Sequence, residues 1–150
     1  PHVNFGAKCE RIKLGLKDAL QEVVRLANLE KPPADLEALA APISALSPSV
    51  ELTPLLVQLS VVKYAPVRGR ALLALSKSRE MQVVPALAKG LYEESSDVRK
   101  HVIFALKEIL GKNAAWASSL PDGNGSDAER QLSDWRKWWE ANKRKFVGAK

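Results

Sequence analysis

Cysteine is nearly missing from this chain: Cys9 stands alone among 150 residues. A lone thiol closes no intrachain disulfide and builds no zinc site from cysteine pairs, and it leaves the compartment open. Lys8 puts a charge beside it, which argues against a bacterial lipid-attachment signal. Histidine is almost as scarce, with His2 and His101 only. No apolar run approaches the roughly 20 residues a spanning helix needs. Glycine is low, at 8 residues, and the alternating β-branched runs of a sheet are missing, so the apolar residues must be read at helical spacing. No phosphate-cradling glycine loop, dinucleotide fingerprint or Ser/His/Asp constellation occurs. The first residue is Pro1, so a processed or excised fragment is expected, with any targeting segment out of view.

What is present is a globular composition, 46% hydrophobic and 27% charged, of a length that fits one domain. The net charge of +6 is unevenly placed. Residues 61–112 carry ten Lys/Arg against five Asp/Glu, whereas residues 1–60 carry six against seven and residues 113–150 seven against five. The basic middle invites an acidic or phosphate-bearing partner.

That middle also repeats. Val67-Arg68 returns as Val98-Arg99, Ala74-Leu75 as Ala105-Leu106, Pro54 as Pro85 and Leu56 as Leu87, always 31 residues on. A fixed period of this size means stacked supersecondary units, each unable to bury its apolar face alone.

In chain order, residues 1–10 read as an irregular lead-in. Ile12, Leu16, Leu20, Val23 and Ala27 mark an amphipathic helix over 11–28, ended by Lys31-Pro32-Pro33. A second helix is expected over 34–46, kinked or stopped at Pro42. The third, over 51–63, carries Leu52, Leu55, Leu56, Leu59 and Val62. The fourth begins near Pro66 and the fifth spans 81–92. The sixth follows Ser95-Ser96, good N-cap residues. Its stripe of Val98, Val102, Ala105, Leu106 and Ile109 is widened by Ile103, Phe104 and Leu110, as in a helix with neighbours on several sides. Residues 113–125 form a loop with Trp116 and the turn-rich 121–125. Ser126-Asp127-Ala128-Glu129 reads as a capping box opening a last helix. That helix has Ala128, Leu132, Trp135, Trp139 and Phe146 on one face.

The segments Pro66-Val67-Arg68 and Ser96-Asp97-Val98-Arg99, each followed by Ala-Leu at the matching place, flank Val84-Pro85-Ala86-Leu87. Together they resemble HEAT repeats, most closely the short bacterial type seen in the PBS-lyase HEAT-like family. Units at 66–95 and from 97 onward match well; a third, 35–62, matches mainly in its second helix. The run from Trp135 to Lys143 resembles the tryptophan-rich tail that follows such repeats in some bacterial envelope proteins. The resemblance implies an all-α, right-handed α-α superhelix of about three helix pairs with a concave surface for proteins or peptides, and no enzyme. The expected organisation is a lead-in and first helix over 1–30, repeats over 34–112, a loop over 113–125 and a capping helix over 126–146.

Arg68 and Arg99 share one repeat position. In the family such arginines form a structural ladder, which here implies that Arg68 meets Asp97 or Glu94. The competing reading is a basic stripe with Arg70, Lys89 and Lys100. Arg70, Lys77, Arg79, Lys89, Lys100 and Lys107 otherwise read as a solvated face. Trp135 and Trp139 are expected to seal the open end of the array. Trp138, one residue off their stripe and amid Arg136, Lys137, Lys143 and Arg144, reads as partly exposed and able to anchor a partner or stack on a base. Trp116 either folds back under the last helix or faces a ligand. His101 reads as a helix-edge imidazole with Asp97 four residues before it, too little for a metal pair.

The function that follows is a non-catalytic scaffold without cofactor or metal. It would bind a protein or peptide, acidic by preference, along the inner surface of its second helices at Gln58, Lys63, Lys89 and Tyr92, with Arg70, Lys100 and Trp138 contributing. Two alternatives remain: nucleic-acid binding of the HEAT-like DNA-repair type, and the C-terminal end of a longer solenoid. Both a bacterial envelope and a cytoplasmic location fit.

Overall fold

The computed structural model describes residues 5–121 and 127–147, with side chains for 15–121 and 127–146. Cys9 and Ile12 (as side chains), His2, the turn at 122–125 and Ser126 lie outside the described residues. Among the described residues the protein is all helical, with no strand. Its α-helices are α1 (Phe5–Ala27), α2 (Leu36–Ala40), α3 (Thr53–Leu59), α4 (Ala65–Leu75), α5 (Val84–Lys89), α6 (Ser96–Gly111), α7 (Ala114–Ala117) and α8 (Ala128–Val147).

Local chemistry explains most boundaries. Pro42 stands in the first turn of a 3-10 segment, Ala41–Ala45, which takes over where α2 ends; its missing amide proton and ring break the wider turn. Pro54, Pro66 and Pro85 each stand at the start of α3, α4 and α5, where an amide proton would have no helical acceptor. Ser95 caps α6, its hydroxyl accepting from Val98 N. α5 is flanked by 3-10 turns at Met81–Val83 and Gly90–Tyr92.

Two expectations need correction. Helix α1 starts at Phe5, so part of the supposed lead-in is helical. The loop after α6 holds the short α7, capped by Asn113, whose side chain accepts from Ala115 N. At the start of α8, Asp127 Oδ1 accepts from Glu129 N at 3.0 Å and its carbonyl accepts from Gln131 N; Ser126, the other half of the expected capping box, lies outside the described residues.

The core follows the 31-residue register further than the sequence reading did. Leu36, Val67 and Val98 are all buried, as are Ala40, Ala71 and Val102, and Ile43, Ala74 and Ala105. The first helix of the 35–62 unit therefore keeps the pattern, with small residues where α2 meets α4. Leu56 and Leu87 are fully buried one period apart, each worth about 1.5–3 kcal/mol against exposure. Helix α4 packs against α2, α3, α5 and α6; α6 packs against α4, α5, α7 and α8; α1 lies on α2 and α3. The end of α1 is pinned to the α3–α4 connection: Tyr64 N donates to Ala27 O at 3.0 Å, and Lys63 N to Asn28 Oδ1 at 3.1 Å.

Helix α8 lies on α5 and α6 and buries Trp135, Trp138 and Trp139. Trp116 folds back beneath it, stacked on Phe146 with centroids 4.7 Å apart and edge-on to Trp138 at 5.7 Å. Trp138 is thus not a surface anchor: it is 7% exposed, and its indole N–H donates to Ser119 Oγ at 3.2 Å. Its position between the Trp135 and Trp139 stripe and the α7 segment encloses it. Phe104 departs in the other direction. Ile103 and Leu110 are buried as expected, but Phe104 is 58% exposed.

Candidate functional site

Arg68 lies in the first turn of α4, so its guanidinium reaches back over the connection from α3. Nη1 donates to Val62 O at 3.1 Å and Lys63 O at 2.8 Å, while Nε donates to Glu93 Oε2 at 3.0 Å. Arg99 does the same one period later, Nη1 donating to Glu93 O at 2.7 Å and Glu94 O at 2.6 Å. These carbonyls follow helix ends, where acceptors lack helical donors and a cation is favoured. The carboxylate on Arg68 belongs to Glu93, not to Asp97 or Glu94, whereas Arg99 meets the two carbonyls. Asp97 faces solvent, its side chain 72% exposed and 3.8 Å from His101 Nδ1. Glu93, on the connection before α6, is the acid within reach of α4.

Three recesses border this ladder. The first, about 830 Å³, lies between the starts of α4 and α6 and the edge of α2. Glu37, Glu93, Glu94 and Asp97 line it with only Arg68 and Arg70 opposing them, so the expected basic groove is here acid-rich. The acids come from helix starts and a connection, where carboxylates suit the dipole. The second recess, about 810 Å³, runs between Arg99 and α8 and shares Tyr92 with the first. The third, about 220 Å³, lies between α6 and α8 on a floor of Ile103, Phe104 and Leu132, with Arg99, Lys100 and Lys107 around it.

Tyr92 is the hinge between the two larger recesses. It is 47% exposed, its hydroxyl donates to Glu140 Oε1 at 2.9 Å, and the Arg136 guanidinium sits 5.0 Å over its ring. Arg136 Nε also donates to Leu91 O at 2.9 Å, tying α8 to the end of α5. Partial burial, then the hydrogen bond to the Glu140 carboxylate, push the Tyr92 phenol above its ordinary value. Glu140 is held below the usual carboxylate range by hydrogen bonds from Lys143 and Tyr92.

The sequence-derived binding residues do not line one recess. Arg70 and Tyr92 line the first recess and Lys100 the third. Gln58, Lys63 and Lys89 are exposed but line none of the three. Lys77 and Arg70 also brace the fold: Lys77 Nζ caps the carbonyls of Ser44 and Leu46 at 2.9 and 3.1 Å, and Arg70 Nη1 reaches Ser44 Oγ at 3.4 Å. Phe104 is the residue the sequence reading missed as a surface feature. Its signal was present in the Lys100–Phe104–Lys107 spacing, which sets a charged stripe around an aromatic on one side of a helix.

No family model, curated protein or solved structure matches this chain. The geometry must therefore speak for the function. Among the described residues no group of three or more His, Cys, Asp or Glu side chains could hold a metal ion, and no helix is long and apolar enough to cross a membrane.

Proposed function

We propose that this protein is a non-catalytic protein- or peptide-binding scaffold built as a short HEAT-like array, with α2–α3, α4–α5 and α6–α7 as its helix pairs and α8 as its cap. The observation that carries the array is the matched pair of arginine struts, Arg68 and Arg99, each bracing the preceding connection at the same offset. The order of packing along the chain supports it.

The binding surface in this reading is the band formed by the two large recesses, joined at Tyr92. Its character is mixed, acid-rich by α4 and more basic by α8, so it suits a segment bearing both charges rather than a purely acidic one. Tyr92, half exposed and flanked by Arg136, has the make-up of a binding hot spot. The test is in two parts. Small-angle scattering of the monomer should give a radius of gyration clearly above the about 15 Å of a compact chain this long. A partner captured from lysate and then purified should bind the Tyr92→Ala and Arg70→Glu variants at least about tenfold more weakly than the parent. A compact radius, or equal affinity for both variants, refutes the reading.

A further inference from the structure

We infer that the recess between α6 and α8 is a docking site for a single apolar side chain, Leu- or Phe-sized, presented by an acidic protein segment. This inference adds a contact outside the band of the two larger recesses and rests on the scaffold reading. Lys100, Phe104 and Lys107 stand at i, i+4 and i+7 on the outer side of α6. Phe104 is 58% exposed yet lies in a recess, beside Ile103 and across from Leu132 of α8. Isolated surface hydrophobes need no explanation; one set in a recess between two helices is an unfilled contact.

Size and charge select the occupant. A volume of about 220 Å³ matches one large side chain and falls below the roughly 300–1,000 Å³ of small-molecule sites. The walls of two helices suit a segment laid along them. Arg99, Lys100 and Lys107 outnumber the lone carboxylate, Glu129, among the lining residues. Arg99 is committed to the Glu93 and Glu94 carbonyls, whereas Lys100 and Lys107 have no ion pair among the described residues. Two unpaired ammonium groups flanking an aromatic ask for acids on either side of the inserted residue. They are few for a phosphate backbone, whose binding draws on about 6–10 contacts, and Glu129 repels one.

The test pans a phage-displayed random dodecapeptide library on the full chain. The enriched peptides are then resynthesised and titrated into the parent, Phe104→Ser and Lys100→Glu/Lys107→Glu proteins. Each variant's thermal melt is first shown to match the parent's, as substitutions at these exposed (Lys100, Phe104) and half-buried (Lys107) surface positions should. Peptides with Asp or Glu around a Leu, Phe or Trp are expected. They should lose at least about tenfold in affinity to either variant, which is about 1.4 kcal/mol, and weaken as salt is raised. Peptides that bind all three proteins equally overturn the α6–α8 site and leave the scaffold reading standing. Failure to enrich any peptide counts against both. A single-stranded oligonucleotide that binds the parent but not Phe104→Ser would reassign the recess to nucleic acid and overturn the inference.

Discussion

Arg68 and Arg99 stand 31 residues apart and make the same contact twice: each points one guanidinium nitrogen at two consecutive carbonyls, of Val62 and Lys63 and of Glu93 and Glu94, themselves 31 residues apart. Glu93 links the two, giving its carboxylate to Arg68 and its carbonyl to Arg99. A repeated sequence thus becomes a repeated brace.

The two braces are unequal. Arg68 adds a carboxylate partner, and the pair is largely shielded, with side chains 27% and 14% exposed. Charged hydrogen bonds contribute about 1.5–3 kcal/mol, so Arg68→Ala is expected to cost about 2–3 kcal/mol and Arg99→Ala about 1–2. Urea unfolding measures both. Arg68→Ala and Glu93→Gln should be non-additive in a double-mutant cycle.

Two glycines should respond oppositely to alanine. A Cβ on Gly90 would fall 2.7 Å from Val102 Cγ2 and 3.2 Å from a Leu72 methyl, whereas nothing lies within 4 Å of one on Gly15. Gly90→Ala should therefore destabilise by about 1–3 kcal/mol through overpacking. Gly15→Ala, inside the exposed side of α1, should stabilise by about 0.5–1 kcal/mol. Paired thermal melts decide it.

The Tyr92–Glu140 contact carries a pH signature. The raised phenol favours the folded state below the ordinary tyrosine value of about 10, and that stabilisation is lost as pH rises through the folded value. Glu140, lowered, contributes above the ordinary glutamate range and loses its contribution as pH falls through its own folded value. Glu140→Gln should move the Tyr92 titration downward but not fully to the ordinary value, because burial, the larger cause, remains. Tyrosine-labelled carbon NMR across alkaline pH would show no movement if the contact were absent in solution.

Trp135 is fully buried, and its indole N–H has no partner among the described residues. Trp135→Ala should cost about 3–5 kcal/mol from the cavity. Trp135→Phe should cost less than half of that. It keeps most of the packing and removes a buried donor whose desolvation costs about 1–3 kcal/mol. Denaturant midpoints of the two variants give the comparison.

Much of the fold was legible because period and punctuation are local properties. Prolines at 54, 66 and 85 announce helix starts wherever they occur, and the spacing of Val98, Val102, Ala105, Leu106 and Ile109 sets one face of α6 without knowledge of its neighbour. The candidate site was less legible. Spacing makes Arg68 a ladder residue but points to Asp97 or Glu94 for its acid, where the structure has Glu93. It sets Trp138 off the buried stripe, though it is enclosed, and Phe104 within an apolar band, though it is exposed. Each difference concerns what another element brings to the same place.

By itself, the sequence determined an all-helical chain with a 31-residue period and a tryptophan-rich final helix, since helix formation and apolar spacing depend on residues within a few turns. Only tertiary structure decided that Glu93 is the rung, that the recess by α4 is acid-rich and that the exposed aromatic sits between α6 and α8. The first two facts depend on how α2 and α6 pack on α4 and the third on how α8 lies on α6, and burial is a property of the pair in contact rather than of either segment alone.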